Sequence, residues 1–254
     1  MQLHKTIFAA SAGRRLAAVL LGLGAPLLLA SVDIEEPSQP MRIPTYVAWT
    51  QNAIATASNG DAVRGLVIAR RCERCHGREG FSSDAAVPNL AGLDKLTIWK
   101  QLNDFRSGKR ESRLMQPIAA VLSPNDYADL AAYFSLLPTY PDSEDPRAFP
   151  EPLPAFASIA LAERLIVGGD GQRGIPPCQA CHGPIGHKVG APSLKTQNSD
   201  YIREELEEFA EGNRTNDINL PMRSIASLLT NDEKHALAAY YGAGLGGLPG
   251  AITK

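Results

Sequence analysis

The sequence contains few aromatic residues and almost no net charge. Aromatic side chains make up 6% of the 254 residues, and 25 basic side chains are balanced by 27 acidic ones. A formal charge of −2 gives no electrostatic basis for binding nucleic acid. No stretch alternates apolar and polar residues for long enough to predict a β-strand. With 44% hydrophobic residues, 22 glycines and 19 prolines, the composition favours compact helical units joined by loops.

Cysteine is also scarce, and all four cysteines lie in two copies of one motif. Residues 72–77 read CERCHG, and residues 178–183 read CQACHG. Cys-x-x-Cys followed directly by His is the signature of covalent haem c attachment. Two thiols one helical turn apart can bond the two vinyl groups of a porphyrin, while the histidine binds the iron. The motifs predict two covalently bound haem c groups, attached through Cys72, Cys75, Cys178 and Cys181, with His76 and His182 as axial ligands.

Other uses of paired cysteines are alternatives to haem attachment. Four cysteines in an oxidising compartment usually form two disulfides. A thioredoxin-like redox pair needs a βαβ context, which the sequence does not show. A four-cysteine zinc site satisfies the spacing but leaves both histidines without a role. Two identical motifs in one chain, with no cysteine left over, favour haem.

The N-terminal 30 residues have the features of an export signal. Basic residues precede an uncharged apolar run over residues 16–32, and small residues follow near Ala30. The run is also about long enough to remain as a membrane anchor, although Pro26 and two glycines weaken that alternative. The sequence therefore predicts a periplasmic protein, either free or anchored to the inner membrane through its N-terminal segment.

The two haem motifs belong to a sequence duplication. QLNDFRSGKR at 101–110 corresponds to ELEEFAEGNR at 205–214, and LAAYF at 130–134 corresponds to LAAYY at 237–241. VPNLAGL at 87–93 matches APSLKTQ at the equivalent place in the second copy. Repetition at this scale predicts an all-α protein with two tandem domains of one type.

Composition changes along the chain set the predicted boundaries. The organisation is a signal peptide or anchor at 1–30, an N-terminal extension at 31–60, a first domain at 61–137, a proline-rich linker at 138–156, a second domain at 157–247 and a tail at 248–254. Six prolines in the linker stop any helix and favour an extended chain, which is either an ordered strap or a flexible connection. The extension either packs on the first domain or binds a partner.

Several segments carry helix signals. DAVRGLVIARRC, which leads into the first haem motif, has apolar residues at roughly helical spacing. Ser123 followed by Pro124 predicts a helix start, and Thr230 with Glu233 predicts a capping box.

Methionine is the remaining candidate for the second axial position of each iron. Met1 and Met41 precede both domains, whereas Met115 and Met222 occupy equivalent places after their haem motifs, each followed by an Ile-Ala pair. An isolated methionine usually fills a core, but this correspondence predicts that both are axial ligands. Two six-coordinate irons favour single-electron transfer over catalysis at iron.

The other histidines have weaker claims on the iron. His187 follows the second haem motif closely, so it is the rival ligand, although its loop is tight. His235 lies in the charged start of a helix, where we expect it to be solvated, and His4 lies in the leader.

Taken together, the haem motifs, the P-x-L segments, the L-x-x-F-x-x-G-x-R helices, the methionine loops and the LAAYF and LAAYY helices resemble class I cytochromes c. Their tandem arrangement resembles the dihaem cytochrome c4 type, over residues 60–247. The resemblance implies two cytochrome c domains packed face to face about a pseudo-two-fold axis, with the haem edges close together. It also implies periplasmic electron transfer, often toward a terminal oxidase at the membrane.

The resemblance further implies roles for two pairs of residues. The carbonyls of Pro88 and Pro192 would accept the ring N–H of the proximal histidines, although either proline also fits an ordinary loop. Arg110 and Arg214 would meet haem propionates, although lone arginines are more often solvated.

The predicted function is that of an electron carrier and not an enzyme. Its partners would be redox proteins: a terminal oxidase, a quinol-oxidising complex or a dehydrogenase. One alternative is a cytochrome subunit of a membrane dehydrogenase complex. Another is a dihaem oxidoreductase such as a thiosulfate-oxidising enzyme, which would need a labile site or a ligand other than methionine. The acidic stretch at 204–211 either steers a partner or forms a solvated helix face.

Overall fold

The chain folds into helices joined by loops, as its composition predicts. The computed structural model describes residues 49–138, 154–183, 188–195 and 197–245, all within one unit that spans residues 41–254. In these ranges the regular structure is helical, and strand-like pairing is limited to one isolated bridge. The α-helices are α1 (Gln51–Ser58), α2 (Ala62–Ala69), α3 (Glu73–His76), α4 (Lys95–Arg106), α5 (Met115–Ala120), α6 (Pro124–Leu136), α7 (Phe156–Glu163), α8 (Gln179–His182), α9 (Ser199–Glu211), α10 (Pro221–Ala226) and α11 (Asn231–Gly242).

In the first domain, α6 is the helix around which the others pack. Helices α1, α2 and α4 all contact α6, and α5 contacts α4. The core consists mainly of Ile98 from α4 and of Tyr127, Leu130 and Phe134 from α6. Tyr127 also donates its hydroxyl to the carbonyl of Ala119 at 2.6 Å, which ties α5 to α6.

Helix α2 packs on α6 through small residues, although its apolar spacing is what predicts the helix. A Cβ on Gly65 would lie 2.1 Å from the carbonyl oxygen of Asp129, so the two backbones are in direct contact. Gly65 and Ala69 are buried, whereas Val63 and Val67 are exposed. The helix is confirmed, and the side chains that suggested it do not form its packing face.

The predicted helix starts are confirmed. Ser123 accepts a hydrogen bond from the backbone N–H of Asp126, whose side chain binds the Ser123 N–H in return, with Pro124 at the first helical position. Thr230 and Glu233 form the same reciprocal pair at the start of α11. Each box satisfies backbone donors that the first helical turn leaves without partners.

The second domain repeats the arrangement around α11. Helices α7 and α9 pack against α11, and α10 packs against α9. Buried side chains from α9 and α11 fill the core, including Ile202, Phe209, Leu237 and Tyr240. His235 is exposed on α11 and its ring contacts the carbonyl of Asn231 at 2.8 Å, as expected for a solvated position.

The two copies differ before their haem motifs. In the second domain a π-helical turn over Arg164–Gly168 follows α7, and a tight turn closed by a bridge between Asp170 and Ile175 leads on to the motif. In the first domain α2 ends at Ala69, close to Cys72. The second copy therefore has a longer connection at this point.

Several predictions concern segments outside the described residues. These segments are the signal peptide or anchor, the extension up to residue 48, linker residues 139–153, His187 and the tail. Helix α7 begins at Phe156, the last residue of the predicted linker. Within the part of the chain that the structure describes, no helix is long and apolar enough to cross a membrane.

Candidate haem sites

Each haem motif forms a short helix that starts at its first cysteine. Cys72 is the N-cap of α3, and Cys178 is the N-cap of α8. The backbone N–H of His76 donates to the Cys72 carbonyl at 2.9 Å, and that of His182 donates to the Cys178 carbonyl at the same distance. One helical turn thus brings both cysteines and the histidine of each motif together, as covalent haem attachment requires.

The state of the cysteines argues against the alternatives to haem. None of the four cysteines is paired in a disulfide. Burial raises the pKa of Cys72 and of Cys178 to about 11, whereas a reactive Cys-x-x-Cys pair has a lowered thiol pKa. Nor do the described residues contain a cluster of three or more His, Cys, Asp or Glu side chains able to hold a metal such as zinc.

Both histidines are oriented by a proline carbonyl. The Nδ1–H of His76 donates to the Pro88 carbonyl at 2.8 Å, and that of His182 donates to the Pro192 carbonyl at 2.8 Å. The resemblance to cytochromes c implies these bonds, and the structure contains them. With Nδ1 protonated, the lone pair of each ring lies on Nε2, the nitrogen that can bind iron.

Burial also favours the neutral form of both rings. It lowers the pKa of His76 and of His182, while each proline carbonyl opposes the shift. Lys188 lowers the pKa of His182 further through charge repulsion. A neutral imidazole is the form that ligates a metal, so the two sites favour ligation near neutral pH.

Met115 is the first residue of α5 and lies outside the core of its domain. Its backbone N–H donates to the Ser112 hydroxyl at 3.1 Å. The next residue, Gln116, donates its backbone N–H to the Ser112 carbonyl at 3.1 Å. The side chain is half-buried and is absent from the cluster of buried residues in the first domain. Core filling therefore does not account for Met115.

Met222 follows a strained turn at the start of α10 and, unlike Met115, is partly buried against the core of its domain. Asn219 and Leu220 have φ angles of 64° and 65°, a left-handed conformation that is costly for residues other than glycine. Asp217 braces the turn, because its carboxylate accepts from the Arg223 backbone N–H at 3.0 Å and from Nε at 2.6 Å. Strain of this kind is retained mainly where it places a functional group.

The donor set in each domain fits a haem c group. Each contains two free thiols one turn apart, a histidine whose tautomer leaves Nε2 as the ligating nitrogen, and one methionine at the start of a helix. Thioether bonds would use the thiols, and the iron would use the histidine.

The arginines of the repeat join the two domains. Arg110 donates to Gln101 in its own domain at 2.8 Å, pairs with Glu205 and donates to the Tyr201 hydroxyl at 2.9 Å. Arg214 donates to Glu205 in its own domain at 2.6 Å and to Gln101 at 3.3 Å. Gln101 and Glu205 occupy equivalent positions in the repeat, so each arginine contacts both of them, as a pseudo-two-fold arrangement requires.

Arg110 and Arg214 also stack on their own domains. The guanidinium of Arg110 lies 4.7 Å from the centroid of the Phe105 ring, and that of Arg214 lies 4.4 Å from that of Phe209. Their side chains are only 11% and 14% exposed. These arginines are therefore not solvated.

A buried ion pair lies beside the crossing, the set of contacts that Arg110 and Arg214 make with Gln101 and Glu205. Lys100 pairs with Asp104 one turn later on α4, and both side chains are at most 3% exposed. Lys100 also donates to the Asn216 carbonyl at 2.7 Å, and the Asn216 side chain donates to Asp104 at 2.7 Å. Burial lowers the pKa of Lys100, an effect that Asp104 opposes.

The loop around Pro88 is held by the second domain. The Asn89 backbone N–H donates to the Gln197 side chain at 2.7 Å, and that side chain donates back to the Asn89 carbonyl at 2.9 Å. The Asn198 side chain donates to the Val87 carbonyl at 2.6 Å. The carbonyl that orients His76 therefore belongs to a loop fixed by the other domain.

Sequence reasoning missed these interdomain residues. The acidic stretch at 204–211 was expected either to steer a partner or to form a solvated helix face, but Glu205 belongs to the domain interface, while Glu204 and Glu208 are exposed. The signal for Glu205 was its place in the repeat, one helical turn before Phe209, where the first copy has Gln101 before Phe105. Gln197 and Asn198 gave no signal in the sequence.

Comparisons with known proteins agree with this geometry. The family model described as cytochrome c oxidase, cbb3-type, subunit III matches residues 60–134. A thiosulfate dehydrogenase electron acceptor of Stutzerimonas stutzeri is 39% identical over 68% of this chain and 78% of its own length. A cytochrome c4 of Pseudomonas aeruginosa is 36% identical over 71% of this chain and 87% of its own length.

A solved structure is similar to this one. The crystal structure of reduced recombinant cytochrome c4 from Pseudomonas stutzeri matches with a TM-score of 0.62 and 34% identity, over 72% of this chain and 98% of that one. The similarity thus extends over both domains and both haem motifs. The chain belongs to the cytochrome c4 family of dihaem electron-transfer cytochromes, and it carries two covalently bound haem c groups.

Proposed function

We propose that each haem iron is held between one histidine and one methionine, and that the chain carries single electrons between redox proteins in the periplasm. The axial pairs are His76 with Met115 and His182 with Met222, and the attaching cysteines are Cys72, Cys75, Cys178 and Cys181. The observation that carries the proposal is the repeated bond of about 2.8 Å from a motif histidine to a proline carbonyl, because it orients both rings for ligation.

The residues of the chain would hold the two sites rigid while the charge changes. A bound haem supplies an iron that alternates between the ferrous and ferric states. The proline carbonyls keep each histidine in one tautomer and orientation, and the Asp217–Arg223 pair keeps the Met222 turn in place. Because these groups are already positioned, little rearrangement would accompany the arrival or loss of an electron.

The interdomain contacts support transfer within the chain. The crossing of Arg110 and Arg214 on Gln101 and Glu205 fixes one domain against the other. A fixed arrangement favours a relay in which one domain accepts an electron and the other delivers it. With each iron held by a histidine and a methionine, no position would be left for a substrate, which would favour a carrier over an oxidoreductase.

A second candidate function is that of electron acceptor for a thiosulfate dehydrogenase. The Stutzerimonas stutzeri relative is described by that role. In this case the donor is an enzyme that oxidises thiosulfate, and the chain again acts as a carrier. The leader sequence supports a periplasmic location for either function.

Stopped-flow reduction of the purified holoprotein separates these possibilities. Under both candidates, thiosulfate alone should leave the haems oxidised. Under the second candidate, thiosulfate with a catalytic amount of thiosulfate dehydrogenase should reduce both haems. Reduction only by a quinol-oxidising complex would favour the first candidate over the second. Steady thiosulfate oxidation by the chain alone, with a small-molecule acceptor, would contradict the carrier function.

A further inference from the structure

We propose that Trp49, within the N-terminal extension, is a positioning residue for the second haem site, because it supports the loop whose Pro192 carbonyl orients His182. The inference rests on the proposed ligation of iron by His182. It assigns to the extension a role in the chain itself, where the sequence offered only packing on the first domain or binding of a partner.

The extension is anchored on the first domain immediately after Trp49. Thr50 caps α1, and α1 packs on α4 and α6 with Ala57 fully buried. A Cβ on Gly60 would lie 1.8 Å from the Ala128 carbonyl oxygen, so this backbone rests directly on α6. Helix α1 therefore holds Trp49 at a fixed position relative to the first domain.

The indole ring of Trp49 lies on the second domain. A Cβ on Gly190 would be 2.9 Å from Cζ2 of Trp49 and 3.1 Å from its Nε1, and Gly190 has a φ of +86°. Only glycine allows both this backbone conformation and so close an approach. Gly190 lies in a turn in which the Ala191 backbone N–H donates to the Lys188 carbonyl at 2.9 Å, and Pro192 follows directly.

The two domains differ in how the loops that carry Pro88 and Pro192 are held. The loop that carries Pro88 is held across the interface by hydrogen bonds from Gln197 and Asn198. The equivalent positions of the first domain, by the repeat, are Leu93 and Asp94. Leu93 has no polar side chain, and Asp94 caps α4 by accepting from the Thr97 backbone N–H and hydroxyl.

Leu93 and Asp94 therefore do not repeat the contacts that Gln197 and Asn198 make, although the Asn89 side chain of the first domain donates to the Asn198 side chain at 3.3 Å. At Gly190, the Trp49 ring reaches the Pro192 loop from the first-domain side. Each proline carbonyl is thus supported by the other half of the molecule, in one case by amide side chains and in the other by an indole.

This support would reach the iron through His182. A strong hydrogen bond from Nδ1 makes the imidazole a better electron donor, which favours the ferric state. If the Pro192 loop loosens, the hydrogen bond from His182 Nδ1 to the Pro192 carbonyl weakens, and the ferrous state becomes more favourable. Loss of the Trp49 ring should therefore raise the reduction potential of the second haem and leave that of the first unchanged.

The test uses the full-length holoprotein with Trp49→Leu, Trp49→Phe and Gln197→Ala. We expect Trp49→Leu to raise the midpoint of the second haem alone, and to speed exchange of the His182 Nδ1 proton in NMR by about tenfold, a loss of about 1.4 kcal/mol. Trp49→Phe, which keeps a ring on Gly190, should restore most of both values. Gln197→Ala should instead move the midpoint of the first haem.

The outcomes separate the inference from the proposed function. If Trp49→Leu leaves both midpoints and the exchange rate unchanged, or moves both midpoints equally, the positioning role is wrong although the haem ligation stands. If a histidine-ligated iron is missing from the second domain of the unmodified protein, the proposed ligation itself fails. Because α1 is anchored by its own contacts, the variants should retain the fold, which far-UV circular dichroism checks.

Discussion

Removing the charge of Glu205 should destabilise the contact between the two domains. In the unmodified protein this carboxylate lies between two arginines, pairing with Arg110 and accepting from Arg214 at 2.6 Å. In Glu205→Gln the amide retains an acceptor oxygen but adds N–H groups that cannot accept. Both guanidinium groups would then share two glutamines, with no carboxylate in the crossing.

The expected cost follows from the burial of these groups. The side chains of Arg110, Arg214 and Glu205 are 11%, 14% and 19% exposed. Leaving a fully buried charge unpaired costs about 3–5 kcal/mol, and partial exposure reduces this figure. We therefore expect about 2–4 kcal/mol. With a slope of about 4 kcal/mol per molar guanidinium chloride, the unfolding midpoint would fall by about 0.5–1 M.

Glu204→Gln is the matched control for this experiment. Glu204 precedes Glu205 on α9, its side chain is 50% exposed, and its contact with Arg203 is 3.8 Å long. We expect its unfolding midpoint to change by less than about 0.1 M, because exposed ion pairs contribute little. Unfolding is followed by far-UV circular dichroism at neutral pH. If Glu205→Gln behaves like Glu204→Gln, the crossing does not stabilise the interface and the reasoning is wrong.

Three further predictions follow from the same structure. Burial opposes the charge of Glu205, but the neighbouring arginines hold its pKa below the usual value of about 4.5. The stability that this carboxylate contributes is therefore present above that pH and lost as the pH falls through the lowered pKa. The acid dependence of unfolding should accordingly be weaker in Glu205→Gln. Met115→Ala and Met222→Ala should each remove one domain's share of the charge-transfer absorbance of methionine-ligated ferric haem, and a variant that keeps the full absorbance would show that its methionine is not a ligand. Gly60→Ala, whose Cβ would lie 1.8 Å from the Ala128 carbonyl oxygen, should lower thermal stability by about 2–4 kcal/mol, whereas Gly168→Ala, with no atom within 4 Å, should be neutral or stabilising.

Much of the haem site could be predicted from the sequence because its chemistry is local. Cys72, Cys75 and His76 must lie within one helical turn, so their spacing alone indicates the cofactor. The starts of α6 and α11 were predictable for the same reason, since a capping box involves residues three apart. The duplication then identified Met115 and Met222 as equivalent, which periodicity within one domain could not do.

The interface could not be predicted because it depends on how two folded domains meet. The pattern of the repeat singled out Arg110 and Arg214, but nothing in it says that each arginine reaches across to the other domain. Gln101 and Glu205 gained a role only through that contact. Helix α2 illustrates a related limit of sequence-based prediction. Its apolar valines are exposed, whereas its packing face is set by Gly65, which a hydrophobic pattern does not identify.

The position of Trp49 was beyond sequence reasoning for a similar reason. A tryptophan before a helix usually packs on its own domain, and only the close approach to Gly190 shows that it contacts the other one. The sequence does not predict the φ of +86° at Gly190 either.

Peptide mass spectrometry of the mature protein tests the central claim most directly. After proteolysis, the peptide with Cys72 and Cys75 and the peptide with Cys178 and Cys181 should each carry the mass of one haem, with no free thiol on either. A peptide without haem, or one joined to the other by a disulfide, would contradict an account in which both domains carry electrons.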